Sequence, residues 1–373
     1  MSTLSLNNIV NTNTEFVASS ILSDNLNITA IITTETPAVA ENYGLYTNSR
    51  SVEVQYGSAS ETLALVSASL SQTYNQITGG GAFLIISLES GEAIKEAIKR
   101  AVDNAYPYFY GILTNKNDLT EANLIEIGTY LNLIKDKQFI YQVSDEAEIV
   151  PATGFVKSLK NLYNRLHFVF SKDADVLRVA RISAITYSFN DAETNPVKKM
   201  SHNRLIGDSG DQSLIQSLYD NAILSGAIVY GYYGNSLALT REGDFGTNIL
   251  PQYYADYIAK KNQISLVNLL ANSKVLQFTT EGLLTIENTL FAQGQIYVDL
   301  GIIASGKFYS ETFLGKNKDY FIRTIEATGF FVYVKPLNEY IQTEKELGQV
   351  AIQSAYILGG EIKFITNNIT IQK

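Results

Sequence analysis

The sequence predicts a two-domain protein, an α/β half followed by an α+β half. Three observations carry this. Short buried-strand runs alternate with amphipathic helical stretches up to about residue 190. A polar break covers residues 190–212. Beyond it come long helical patterns and then a strand-rich end. The length of 373 residues suits about two domains, and 46% hydrophobic against 17% charged residues is enough for a sizeable core.

In the first half, Ile28–Thr34 reads as a buried strand and Glu61–Asn75 as a helix with Leu63, Val66, Leu70 and Tyr74 on one face. Phe83–Leu88 is β-branched and apolar, hence a buried strand. Glu92–Ala105 is helical, with Ile94, Ala97, Ile98, Ala101 and Val102 turned inward. Tyr108–Leu113 is a strand, and Leu119–Lys135 a helix striped by Leu124, Ile127, Leu131 and Ile134. Phe139–Val143 and His167–Phe170 are further strands. Strands separated by single helices argue for a mainly parallel sheet flanked by helices.

In the second half, Gln212–Leu224 reads as a helix and Ala227–Gly231 as a strand. Pro251–Ala271 and Thr280–Leu300 follow as long helices. Tyr320–Ile325, Gly329–Val334, Gln349–Ile357 and the segment from Glu361 onward read as strands. No internal repeat shows at a fixed period. The expected organisation is an N-terminal arm at 1–22, an α/β domain at 23–195, an α+β assembly domain at 196–360 and a C-terminal strand arm at 361–373.

Both ends are distinctive. Residues 1–22 are rich in Asn, Ser and Thr, with Leu4, Leu6, Ile9, Val10 and Phe16 at intervals. They are a frayed leader or an arm that orders on a partner. At the other end Ile362 and Phe364, then Ile369 and Ile371, alternate with polar neighbours around Asn367-Asn368. A strand needs an edge to pair with, in its own domain or in a neighbouring subunit.

Composition narrows the function. Net charge is −9 without a Lys/Arg cluster, so no basic face is available for duplex nucleic acid. There is no cysteine, which excludes disulfides, thiolate metal sites and a cysteine nucleophile. Met1–Asn8 lacks a basic-then-apolar leader, and the longest apolar run, Ala82–Ile86, is far short of the roughly 20 residues that span a bilayer. A chain made and kept in a cytoplasm, without membrane insertion, is expected. Tyrosine (24) and phenylalanine (17) are abundant, which suits cores and interfaces alike.

The chemical motifs are weak. Gly207-Asp208-Ser209-Gly210 resembles the nucleophile segment of trypsin-like proteases, but Asp211 follows, and His167 and His202 are the only histidines. Asn115–Glu121 has the look of a calcium loop without the required glycine, since Thr120 stands sixth; a helix cap fits better. Gly79-Gly80-Gly81 precedes a strand, whereas a phosphate loop follows one, so it reads as a flexible turn. Asp173 and Asp175 read as capping residues. Neither a catalytic set nor a metal or cofactor site is expected.

Several segments in order resemble one family. They are Leu4–Val10; Val52-Glu-Val-Gln-Tyr-Gly-Ser58 with its following helix and strand; Ala227–Asn235; Tyr254–Ile258; Ile264–Leu270; Phe278–Leu284; Gly329–Pro336; and Ala351–Gln372. End to end the chain resembles the small tail sheath proteins of contractile-tailed bacteriophages. Gly79–Gly81 stands where that family has a Pro-rich connection. The resemblance implies a two-domain sheath fold whose N- and C-terminal arms add strands to neighbouring subunits. It also implies hexameric rings stacked helically around a tail tube, with baseplate and tail terminator proteins as further partners. Contraction would drive the tube through the host envelope, and the location would be the virion after assembly in the host cytoplasm. The arm residues so implicated are Leu4, Leu6, Ile9, Val10, Phe16, Ile362, Phe364, Ile369 and Ile371. The sheath of a phage-derived injection system or another tail component, such as a tube protein, is the alternative. A cytoplasmic α/β enzyme would instead be monodisperse with a ligand pocket.

Overall fold

The computed structural model describes residues 25–360 apart from 40, 105, 173–176, 195, 234–236 and 309–317. In chain order its elements begin with β1 (Ile28–Thr33), β2 (Tyr43–Tyr46), α1 (Ser49–Tyr56), α2 (Glu61–Leu70), β3 (Ala82–Ser87) and α3 (Ile94–Asp103). Then come β4 (Gly111–Thr114), α4 (Glu121–Ile134), β5 (Gln138–Val143), α5 (Phe155–Leu162), β6 (Leu166–Phe170) and α6 (Leu177–Thr186). The second half holds α7 (Gln216–Leu224), β7 (Ile228–Tyr233), β8 (Leu237–Arg241), α8 (Ile249–Asn272) and α9 (Thr280–Asp299). It ends with α10 (Lys318–Thr328), β9 (Phe330–Val334), α11 (Gln342–Glu346) and β10 (Ile352–Tyr356).

One eight-stranded sheet runs in the order β2-β3-β1-β4-β5-β6-β7-β8. Its six inner strands are parallel, and the edge strands β2 and β8 are antiparallel. Strands buried on both faces explain the near-continuous apolar runs. Ile31, Phe83, Ile85 and Ile140 face one core with α2, α6 and α8. Ala30, Ile32, Leu84, Ile86 and Phe139 face the other with α3, α4, α5 and α7. The first core continues unbroken into the C-terminal part through Leu290, Tyr297, Phe330 and Val332.

The sheet does not stop at residue 195. β6 pairs with β7 through Val169↔Ile228 and Phe170↔Val229, across the stretch expected to divide two domains. The polar residues of that stretch do form loops, but loops tied inward. Asp208 pairs with Arg178, whose Nε lies 2.8 Å from it with both side chains 1% exposed, and Asp211 accepts from the Lys172 N–H at 2.8 Å.

Other expectations shift as well. Tyr320–Ile325 is helical, inside α10. Its aromatic run suggested a strand, yet Phe321 and Ile325, four apart, are the buried positions, a helical spacing. The stripe of α2 is Thr62, Leu65, Val66 and Ser69, the helix ends at Leu70, and Tyr74 is 45% exposed. Val102 faces solvent while Ile94, Ala97, Ile98 and Ala101 are buried. The Gly79–Gly81 turn is packed rather than loose: a Cβ on Gly81 would lie 2.2 Å from the Asn27 carbonyl oxygen. The edge strands β2 and β8 had no sequence assignment.

Candidate functional site

The strand ends come first, because open parallel sheets bind ligands beyond the carboxyl ends of their strands. At β1 and β4 those ends are self-satisfied. Asn115, just past β4, accepts from the Thr34 N–H and donates to Glu61 at 3.2 Å. Glu35, just past β1, accepts from Ser60 Oγ and from the N–H groups of Glu61 and Thr62 at the start of α2.

One buried charge pair, Arg178–Asp208, sits at the carboxyl ends beside Ser171, just past β6; a second set lies at the opposite, amino ends, under α8. Asp256 of α8 is fully buried and accepts from Arg165 Nη1 at 2.7 Å, Arg165 Nη2 at 2.9 Å and the Tyr110 hydroxyl at 2.5 Å. Tyr253 donates to Asn27 at 2.7 Å, and Gln138 donates to the Ile249 carbonyl. Asn27, Tyr110, Gln138 and Arg165 open or immediately precede β1, β4, β5 and β6, so α8 is stapled across four strands. Burial, with Asp256 beside it, pushes the Tyr110 hydroxyl well above its usual range. Burial likewise raises Asp136, despite Lys137 beside it, and lowers Lys137. The bidentate Arg165–Asp256 pair is structural: it holds α8 against the strands.

From α8 the contacts lead outward along aromatic rings. Tyr257 meets Tyr297 of α9, Tyr297 meets Tyr356 of β10, and Tyr356 stacks on Phe330 of β9 with an interplanar angle of 12°. The Tyr297 hydroxyl donates to Asn262 Oδ1 at 2.9 Å, and Asn262 donates to the Tyr356 hydroxyl at 2.8 Å. β9 and β10 form a separate antiparallel pair, Ile352↔Val334 through Tyr356↔Phe330. One face carries Phe330, Val332 and Val334 into the core; on the other, Phe331 and Tyr333 lie 4.5 and 5.4 Å from the Phe321 ring of α10.

Among the described residues this sheet has two strands, and apart from the Ile303–Leu358 bridge just past β10 no third segment pairs with either edge. Lys335 N–H donates to the Ala351 carbonyl and Ile357 N–H to the Gly329 carbonyl. Alternation in an antiparallel pair then turns the backbone groups of Ile352, Ser354 and Tyr356 outward on one edge, and those of Val332 and Val334 outward on the other, where Phe330 is already bonded to the Thr328 hydroxyl. The large sheet is blunted at β8, where His202 N–H donates to the Thr240 carbonyl and Thr240 N–H to Asn203.

The arm residues Leu4, Leu6, Ile9, Val10, Phe16, Ile362, Phe364, Ile369 and Ile371 lie outside the described residues, as do Asp173 and Asp175. The weak motifs have local roles. Asp208 of the protease-like segment is turned to Arg178 and Arg181. His167 is buried against Lys160 Nζ at 3.3 Å; burial, with that lysine, holds its pKa well below the usual value. Thr120 caps α4 in a capping box with Asn123, with Glu121 in the first turn. Among the described residues no three acidic or histidine side chains gather as a metal site, and no helix is long and apolar enough to cross a membrane.

No family model and no curated protein matches the chain. Solved structures do. A chain of the cryo-EM structure of the anti-feeding prophage baseplate is 12% identical, with TM-score 0.66 over 95% of this chain and 96% of that one. The sheath complex of the extracellular contractile injection system PVC, in its contracted state, gives 11%, 0.64, 95% and 93%. The sheath tail protein of Listeria innocua gives 11%, 0.53, 90% and 96%. The fold is that of contractile sheath proteins.

Proposed function

We propose that this chain is the repeating structural subunit of a contractile sheath and has no enzymatic role. The likeness to sheath folds over nearly the whole chain carries the reading. Subunits stack as hexameric rings around a tube, meet a baseplate and terminator at the ends, and shorten on triggering. No nucleotide or cofactor is required, since the extended lattice can be long-lived through a barrier alone.

The β9–β10 sheet is the acceptor. The Leu4–Val10 and Phe16 arm of one neighbour and the Ile362–Ile371 arm of another add strands to its two edges. About four net hydrogen bonds at roughly 0.5–1.5 kcal/mol each amount to roughly 2–6 kcal/mol per strand, before apolar burial. Repetition around a ring multiplies this through effective concentration.

Negative-stain electron microscopy across a concentration series tests the sheath reading. Hollow sixfold tubes or stacked rings are expected, and uniform compact particles, even when the chain is co-expressed with its tube and baseplate, overturn it. Deleting Glu361–Lys373 tests the acceptor: a folded monomer that forms no tubes is expected, whereas tubes of normal length end the donated-strand idea and leave the sheath reading intact. A phage tail is the first context for such a sheath. A phage-derived injection system is the second, favoured by the likeness to the anti-feeding prophage and PVC structures. Particles purified from the native source decide between them by carrying or lacking a DNA-filled head.

A further inference from the structure

A groove of about 540 Å³ lies between the first turn of α8, the 197–203 loop and the chain at Gly359-Gly360. That is the size of a small-ligand site, roughly 300–1,000 Å³. Its partly exposed apolar surface comes from Tyr74, Val197 and Pro251. Its charges are unevenly committed. Lys198 Nζ sits 2.8 Å from Glu193 and 3.9 Å from the centre of the Tyr74 ring. Glu242 is 4% exposed and accepts from the Ile249 N–H. Lys199 is exposed, and none of the described residues pairs with it.

Gly359 is pinned by its N–H on the Ile302 carbonyl at 2.8 Å, while a Cβ on Gly360 would meet nothing within 4 Å. The chain therefore leaves from the groove wall at an open pivot. The next four residues are Glu361, Ile362, Lys363 and Phe364: one carboxylate, one ammonium and two apolar side chains. At no more than about 3.5 Å per residue they reach roughly 14 Å.

We infer that in the unassembled subunit residues 361–364 fold back into this groove, with Glu361 against Lys199 and Ile362 and Phe364 on the Tyr74–Val197–Pro251 surface. This rests on the proposed sheath function, because the same segment is the one donated to a neighbour. Seating and donation then compete, and the seat restrains free subunits from polymerising before a lattice offers them an edge. A segment tethered by one residue has an effective concentration of mM order. At ~1 µM subunit it fills its own groove about a thousandfold more readily than a neighbour's arm does.

The chain has no cysteine, so an introduced pair reports alone. Lys199→Cys with Glu361→Cys in the full chain, oxidised at ~1 µM, is expected to give an intramolecular disulfide seen as a mobility shift that reverses on reduction. The control pair is Glu126→Cys with Glu361→Cys, because exposed Glu126 lies on α4, across the sheet. Linking no faster than the control, or only between subunits, overturns the seat, even in a chain that forms tubes. Tube assembly blocked in the linked chain and restored by reductant supports the competition. A linked chain that assembles as readily as the reduced one overturns it.

Discussion

Asn262 of α8 donates its side-chain amide to the hydroxyl of Tyr356 on β10 at 2.8 Å, while its own carbonyl accepts from Tyr297 of α9. One amide thus fixes the register of a half-buried strand against two helices. Asn262→Ala removes both bonds and leaves the buried Tyr297 hydroxyl to the Ile258 carbonyl and the Gln293 side chain. A loss of about 1–3 kcal/mol in urea unfolding is expected. Tyr356→Phe removes the bonds of that hydroxyl to Asn262 and Ser354 and is expected to cost about 1–2 kcal/mol. Equal stability for all three chains would show that the strand is held by its rings alone.

Asp256 is a costly position to change. Its carboxylate faces Arg165, 3% exposed, and replacing it by Ala strips that buried guanidinium of its bidentate partner. A loss of about 3–5 kcal/mol is expected, enough to unfold a marginal protein. Arg165→Met combined with Asp256→Leu should recover most of it, because an apolar pair of similar volume avoids the stranded charge. Thermal unfolding of the single and double variants decides: a double variant no better than Asp256→Ala refutes the ion-pair account.

How much of this was legible follows from range. The inner strands announce themselves because both faces are apolar, as in Ala82–Ser87. The β9–β10 pair was legible from its β-branched and aromatic runs, in Gly329–Val334 and Gln349–Ile357. β2 and β8 were not, since Tyr43–Tyr46 and Leu237–Arg241 are short edge strands supported on one side only. The staples under α8 were invisible: Arg165 and Asp256 stand 91 residues apart, and local pattern reads each as an ordinary surface charge. α10 was misread because Tyr320-Phe321-Ile322 has strand composition, while helical burial of Phe321 and Ile325 depends on β9.

Acid should weaken the subunit in a definite window. Partial burial raises the Glu35 carboxyl, but the bonds from Ser60, Thr62 and two N–H groups outweigh it and hold its pKa below the usual 4.5. Burial also raises Glu92, and the Arg100 bond outweighs it in the same way. The unfolded chain therefore binds more protons than the native one below about pH 4.5. This contribution is fully present above that pH and is lost as pH falls through the folded values. Melting temperature should begin to fall once pH drops below about 6.5, where His167 protonates in the unfolded chain but not in the folded one, and should fall more steeply below about pH 4.5 as Glu35 and Glu92 add their share. Glu35→Gln should lower it at neutral pH and flatten part of the acid slope. An unchanged slope in that variant would remove Glu35 from the account.

Gly294 tests the contact that seats β9. A Cβ there would lie 2.4 Å from Cε2 of Phe330, closer than any side chain sits without displacement. Two effects oppose each other in Gly294→Ala. Helix propensity favours alanine by about 1 kcal/mol in the middle of α9. Overpacking costs about 1–3 kcal/mol, because Phe330 is 2% exposed, wedged against Phe291 and Tyr356, and has little room to yield. The net loss should be up to about 2 kcal/mol. It should fall on β9, so tubes should form only at higher subunit concentration. Adding Phe330→Leu removes the opposing ring atoms. If the clash is the cause, the double variant regains stability relative to Phe330→Leu alone, since only the propensity gain then remains. Identical losses from Gly294→Ala in both backgrounds would place its effect elsewhere in α9.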